Sequence, residues 1–238
     1  MKKSLDLSKY LEVLNIDQSD FDKFFDFYNN SFNEYGNEVY DDIKSRLVHL
    51  RYFLENSWWN SRFNLLWKHF STYSQIIDLG FSVPYLPIHL ALNGNLNHVP
   101  KLLYVDGSET SKKLGKVILK DLNIESNFIV GDLQSDDTWK QIGKNIEGER
   151  ILFTSFETIE HLNRPEDFWR NISKYRSSDI IISLPIGPKI PSHSSCFENT
   201  NQVKEYISQY LDIKEEIVFE GKSHGSNYSI YTCLGTIK

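Results

Sequence analysis

Apolar residues in the first third of the chain recur at helical intervals. Leu7, Leu11 and Leu14 form one stripe, Phe21, Phe24, Phe25 and Tyr28 a second, and Ile43, Leu47, Leu50 and Leu54 a third. Residues 1–72 hold one glycine, Gly36, and no proline. The pattern predicts three or four helices, with Ser19 or Asp20 capping the second. The longest should run from about Glu38 to Phe70, with a break near Trp58. From residue 75 the period changes. The short β-type runs "QIIDLG", "LLYVDG", "NFIVGD", "RILFTS", "DIIISLP", "EEIVFEG" and "SIYTCLGTI" follow one another, and helical stretches separate most of them. Apolar strands alternating with helices imply an α/β fold whose mostly parallel sheet is covered on both faces. The last two runs are joined by the turn-rich "KSHGSN", which predicts an antiparallel hairpin. The expected organisation is therefore a helical N-terminal cap over 1–72 and an α/β domain over 73–238.

Composition narrows the function classes. The chain has 238 residues, enough for a core without staples, and its net charge of −6 argues against an extended basic surface for nucleic acid. Cys196 and Cys233 are far apart and neither belongs to a CxxC pair, so neither a disulfide framework nor a zinc site is indicated. No run reaches the roughly 18 apolar residues of a membrane span. The start of the chain lacks the apolar core of a signal peptide. A cytoplasmic setting is expected, with neither membrane nor nucleic acid as partner.

In an open α/β sheet, ligands bind beyond the carboxyl ends of the strands. Three successive strands end there in an aspartate: Asp78 with Gly80, then Asp106, then Asp132. Asp beside Gly is also ordinary turn chemistry. All three in register favour a ligand. A carboxylate at the second strand can accept both hydroxyl hydrogens of a ribose. One at the third can accept from a purine amine, and Asp78 can hold an ammonium group. Ribose, adenine and amino acid together describe S-adenosylmethionine.

These segments, from Ser74 to Lys238, resemble the class I S-adenosylmethionine-dependent methyltransferases. "IIDLGFSVPYL" resembles the family's first motif, and "LLYVDGSETSKKLGKVILKDL", "NFIVGDL", "ERILFTSFETIEHL" and "DIIISLPIG" its second to fifth strands. The resemblance implies a Rossmann-like seven-stranded sheet and a cofactor site at Asp78, Gly80, Ser82, Asp106 and Asp132. One departure stands out. In the usual D-x-G-x-G-x-G turn, Ser82 replaces the second glycine and Pro84 the third. Serine is small. Proline fixes φ near −65° and suits the first turn of the next helix.

After the fourth strand, "SFETIEHL" gathers Glu157, Glu160 and His161 at positions that share one face of a helical turn. That face would stand beside the transferred methyl. The three side chains could bind a divalent ion, Mg²⁺ or Mn²⁺, or act as an acid/base group. They could also be a solvated helix start, since carboxylates are favoured there. The spelling E-x-x-E-H is similar to the metal motif of the small-RNA 3′-terminal 2′-O-methyltransferases. That likeness implies a site completed by a histidine after the fifth strand, here His193, with Phe197–Glu198 following. His161 and His193 are thus the candidate catalytic residues, and Glu157, Glu160, His161 and His193 the candidate metal ligands.

The acceptor is less legible. Residues 1–42 hold ten acidic and four basic side chains, whereas residues 43–72 hold five basic and one acidic, with Trp58, Trp59 and Trp67. Aromatics among cations can stack on nucleotides, but amphipathic packing with snorkelling cations explains the same pattern. The loop "SLPIGPKIPSHSS", stiffened by Pro185, Pro188 and Pro191, offers Lys189 and His193 to a substrate. The expected function is methyl transfer from S-adenosylmethionine to a hydroxyl or amine of a small acceptor: a sugar, a nucleotide-linked sugar or a natural-product intermediate. The alternatives are a catalytically inactive protein that kept the fold for binding or scaffolding, and a metal-dependent RNA 2′-O-methyltransferase.

Overall fold

A computed structural model describes residues 5–31, 41–223 and 226–238. The expected helix start near Glu38 lies outside the described residues. The N-terminal helices are α1 (Leu7–Val13), α2 (Gln18–Ser31), α3 (Ile43–Glu55), α4 (Ser57–Asn60) and α5 (Asn64–His69), with single 3₁₀ turns at Ser61–Phe63 and Phe70–Thr72. Their ends follow from capping chemistry. Asp6 accepts from the Ser8 N–H and opens α1, and Asp42 accepts from the Lys44 N–H and opens α3. Asp17, rather than Ser19 or Asp20, caps α2: its carboxylate accepts from the N–H groups of both those residues. The break expected near Trp58 falls at Asn56. That residue turns extended after α3, and its side chain accepts from the Trp59 N–H to start α4.

All seven predicted strands form. They are β1 (Gln75–Leu79), β2 (Lys101–Asp106), β3 (Asn127–Val130), β4 (Ile151–Phe156), β5 (Asp179–Ile186), β6 (Leu211–Ser223) and β7 (Ser226–Ile237). One sheet holds them in the order β3-β2-β1-β4-β5-β7-β6. The first five pair in parallel, and β7 runs antiparallel between β5 and β6. Between them lie α6 (Tyr85–Asn93), α7 (Glu109–Leu122), α8 (Asp136–Lys144), α9 (Pro165–Ile172) and α10 (Thr200–Ile207).

The alternation of side chains along a strand sorts the core into two faces. Ile77, Leu103, Phe153 and Ile180 pack with Trp139 of α8, Phe168 and Ile172 of α9 and Val203 of α10. Their neighbours Ile76, Leu102, Leu152 and Ile181 pack on the other face with Leu66 of α5, Leu86 of α6 and Leu119 of α7. Each such side chain contributes about 1.5–3 kcal/mol by leaving water. Outside α6 and α7 lies a further apolar cluster. Tyr10, Phe21, Leu47 and Leu50 from α1–α3 pack there against Ile88, Leu114 and Ile118. This packing sets α3 directly over the turn that follows β1.

Candidate functional site

The turn after β1 is the first part of the site. Gly80 has φ +76°, a left-handed conformation open to glycine. A methyl group there would overlap the side chain of Thr158, which follows β4. Ser82 also lies at positive φ, +49°, so serine occupies a strained position where glycine would rest easily. Pro84 has φ −76° and immediately precedes α6, in keeping with the expected start of that helix. Asp78 is half-buried and accepts from the Thr154 hydroxyl at 2.7 Å. Burial pushes its carboxyl up to about 7, against the lowering by Thr154 and with a smaller push from the charge of Asp106.

Asp106 ends β2 and is 7% exposed. Its carboxylate accepts from the Ser108 N–H at 2.8 Å and the Ser82 N–H at 3.2 Å. The Arg46 guanidinium approaches to 3.9 Å from α3. Arg46 also donates to the Ser82 hydroxyl at 3.2 Å, and that hydroxyl lies 2.7 Å from Nδ1 of His49. The His49 Nε2 in turn meets the Tyr28 hydroxyl at 2.9 Å. A chain of polar contacts therefore runs from α2 through α3 to the β1 turn and β2. Asp132 is exposed after β3, and one of its oxygens accepts from the backbone and side chain of Gln134.

The end of β4 differs from the expected helical face. Glu157 takes φ +49°, and its N–H donates to the backbone and side-chain oxygens of Ser183 on β5. Only Ile159–His161 form a turn, and it is 3₁₀. Glu157 is thereby separated from Glu160 and His161. Its carboxylate points to Arg62, whose guanidinium lies 2.7 Å away and over the Trp59 ring. The backbone of the loop after β5 closes on the other two. Glu160's carbonyl accepts from the Ser194 N–H at 2.7 Å and from its hydroxyl. His161 Nδ1 donates to the Ser192 carbonyl at 2.8 Å. These bonds bring His193 against His161 with ring centres 4.8 Å apart, and donor atoms of Glu160, His161 and His193 lie within 4.8 Å of one another.

This trio is charge-poor. Glu160 is fully buried, and neither carboxylate oxygen has a hydrogen-bond partner among the described residues. Burial, with the nearby charge of Glu157, pushes its carboxyl well above the usual range. Burial lowers His161 to about 4 and His193 to about 3, the latter further disfavoured by His161. Both imidazoles are neutral at neutral pH. With Nδ1 donating, the His161 lone pair sits on Nε2.

One cavity of about 720 Å³ connects these parts. Its lining includes Asp78, Gly80, Ser82, Asp106 and Asp132 at one end and Glu157, His161 and His193 at the other. The lining also carries an aromatic wall, half of it from the N-terminal segment: Trp58, Trp59 and Phe63, with Tyr85, Phe156 and Tyr228 from the α/β part. Glu160 stands behind the lining. Lys189, expected to face a substrate, is exposed and does not line the cavity; Pro188 and Ile190 of the same loop do. Pro185 belongs to β5 itself. Phe197 sinks into the core against Tyr206 and Glu198 bonds Gln202, so that pair stays outside the site. Arg46, His49 and Arg62 were not singled out from sequence. Ile43, Arg46 and Leu50 share one helical face, and a cation inside an apolar stripe is the signal that marks Arg46.

No protein-family model and no curated protein sequence matches the chain. Solved structures do match it in shape. The PH0226 protein from Pyrococcus horikoshii OT3 superposes with a TM-score of 0.54 at 15% identity, covering 88% of this chain and 99% of that one. Magnesium protoporphyrin IX methyltransferase (ChlM) from Synechocystis PCC 6803, solved with bound SAM, gives 0.52 at 12% identity over 98% and 99%. The [4+2]-cyclase SpnF gives 0.50 at 9% identity over 70% and 76%. Likeness at such identities speaks to fold alone. The chain has the α/β Rossmann-like methyltransferase fold, with the seven-stranded sheet and C-terminal hairpin expected of it. Among the described residues no helix is long and apolar enough to cross a membrane.

Proposed function

We propose that the chain is an S-adenosylmethionine-dependent methyltransferase acting on a hydroxyl or amine of a small acceptor, such as a sugar, a nucleotide-linked sugar or a natural-product intermediate. One observation carries this reading: a single cavity joins the aspartate-bearing strand ends to the His161–His193 pair. Its volume of about 720 Å³ falls in the range of small-molecule sites. The residues fit the cofactor. A methyl group on Gly107 would meet nothing within 4 Å, so the backbone there is open to a ligand, and three carboxylates line that end. Asp78 would hold the ammonium group, Asp106 the ribose hydroxyls and Asp132 the adenine amine. When bound, the cofactor supplies an electrophilic methyl group. The chain contributes mainly positioning. The aromatic wall and the loop after β5 orient the acceptor, and His161 can hold the departing proton at Nε2.

The basic stretch over 43–72 is better explained by this function than by RNA. Lys44, Arg46, Arg51, Arg62 and Lys68 each have a carboxylate partner, from 2.5 Å for Lys68–Glu215 to 3.9 Å for Arg46–Asp106. Little unbalanced positive charge is left for phosphates. Titration calorimetry with S-adenosylmethionine and S-adenosylhomocysteine tests the proposal. Micromolar binding of either supports it; no binding of both sinks it and leaves the binding-or-scaffold reading, for which the cyclase shows that this fold need not carry methyl transfer.

A second reading rests on the orphaned carboxylate of Glu160. A buried carboxyl with two unpartnered oxygens beside two neutral imidazoles matches the donor set of a divalent ion. Glu160, His161 and His193 would be its ligands. Such an ion would supply Lewis-acid polarisation of an acceptor oxygen. Glu157 would not belong to it, because Arg62 takes its charge.

A further inference from the structure

The cofactor reading leaves the one negative charge of S-adenosylmethionine without a partner. The aspartates account for its ammonium, ribose and adenine groups, and none of them can take the α-carboxylate. In a glycine-rich turn the natural donors for an anion are backbone N–H groups and the N-terminus of the next helix. Here four of those donors are engaged within the protein. The Gly80 N–H donates to the Val105 carbonyl at 2.7 Å and the Ser82 N–H to Asp106 at 3.2 Å. The Val83 N–H turns back to the Phe81 carbonyl, Pro84 has no N–H, and the Tyr85 N–H donates to the Val83 carbonyl. With so few N–H groups left at this turn, a side-chain cation is the stronger partner for a carboxylate.

We propose that Arg46 binds the α-carboxylate of the cofactor, oriented by Ser82 and His49. The inference rests on the cofactor reading above. Arg46 lines the cavity, is 7% exposed, and reaches both the Ser82 hydroxyl at 3.2 Å and Asp106 at 3.9 Å. It therefore spans the segment between the ribose position and the amino-acid position. The other arginine of the lining, Arg62, is engaged at 2.7 Å by Glu157 on the acceptor side. The departure from the glycine-rich motif then has a reason. Serine at position 82 replaces backbone freedom with a hydroxyl, and that hydroxyl fixes the guanidinium between His49 and Asp106. A planar fork so held is pre-organised for a carboxylate.

The test compares three ligands by calorimetry: S-adenosylmethionine, decarboxylated S-adenosylmethionine, which keeps the ammonium, and 5′-methylthioadenosine, the nucleoside alone. With the wild-type chain, removing the carboxylate should weaken binding about tenfold to a hundredfold, the scale of one charge-assisted contact. Arg46→Ala should weaken S-adenosylmethionine by a similar factor and leave the decarboxylated ligand and the nucleoside unchanged. Arg46→Lys should recover part of the loss. Equal wild-type affinity for the first two ligands overturns the assignment whatever the variants do. Equal weakening of all three by Arg46→Ala also overturns it, and assigns Arg46 to the ribose side through Asp106. A wild-type chain that binds none of the three removes the cofactor reading itself, and the assignment with it.

Discussion

Arg62 and Glu157 form an ion pair 2.7 Å long inside the cavity wall, with their side chains only 5% and 17% exposed. The guanidinium also lies over Trp59 and donates from Nε to the Trp59 carbonyl at 2.9 Å. The pair thus clamps the N-terminal helices to the end of β4. Removing one partner of a buried pair leaves an uncompensated charge, at about 3–5 kcal/mol. Arg62→Met should lower stability on that scale. The double variant Arg62→Met, Glu157→Gln should recover most of the loss, because two neutral groups no longer need each other. Denaturant midpoints of the single and double variants check this. Additive losses would mean that the pair does not hold the clamp.

Cofactor affinity should depend on pH through Asp78. Its carboxyl stands near 7 when folded, mainly because of burial, against 3.8 for the unperturbed group. The folded chain keeps the proton that the unfolded chain releases. Stability from this group is therefore full below about pH 4, falls as pH rises from there to about 7, and changes no further above it. Binding runs the opposite way, since a ligand ammonium favours the ionised carboxylate. S-adenosylhomocysteine affinity should rise up to about tenfold per unit between pH 5.5 and 7 and then level off. Asp78→Asn should bind weakly at every pH. A wild-type affinity that stays constant across this window would detach Asp78 from the ammonium.

Glu160 separates the metal reading from a merely buried acid. An isosteric neutral side chain removes a carboxyl that the fold already prefers protonated. In metal-free buffer at pH 7, Glu160→Gln should leave the melting temperature unchanged or raise it. Two imidazoles and one carboxylate favour a transition ion over Mg²⁺. Addition of Mn²⁺ should raise the melting temperature of the wild type by mass action and leave Glu160→Gln unmoved. If both proteins respond alike, the ion binds elsewhere and Glu160 is a buried acid only.

The strands were legible because parallel strands buried on both faces are apolar throughout, and runs such as "DIIISLP" announce themselves without knowledge of their neighbours. The aspartates at their ends were legible for the same reason: once the strands are fixed, their C-terminal residues are fixed. For the cluster after β4, local spacing misleads. Spacing of three and four implies a common face only if the backbone is helical, and the left-handed φ of Glu157 breaks that condition. Two Ser183 oxygens on β5 hold this backbone in place, a tertiary contact that local spacing does not encode. Arg46, His49 and Arg62 escaped for a related reason. In an amphipathic helix such residues read as part of the solvated edge; the placement of α3 over the β1 turn gives Arg46 and His49 a site to face, and Arg62, in the turn Ser61–Phe63, meets Glu157 only through the fold.

The β6–β7 hairpin outruns the sheet and brings Tyr228 to the cavity, at the end proposed for the acceptor. Its pairing with β5 stops at Ser229, opposite Ile186, whereas β6 and β7 continue together to Ser223 and Ser226. On that overhang the Trp58 indole N–H donates to the Glu220 carbonyl at 2.9 Å, and the Tyr228 ring meets Trp58 edge-on at 6.4 Å. Gly221 lies directly under the indole, where a methyl group would overlap the ring. Gly221→Ala should therefore push Trp58 off the hairpin, at about 1–3 kcal/mol as in other overpacked sites. Trp58→Ala should cost a similar amount, and the double variant little more than either alone, because both changes break one contact. S-adenosylhomocysteine affinity should stay at the wild-type value in all three, since the cofactor end lies against β1–β3. Urea midpoints and one calorimetric titration per variant check both halves. Additive losses would show that the indole does not seat on Gly221, and a weakened cofactor would show that the hairpin reaches further into the cavity than the acceptor end.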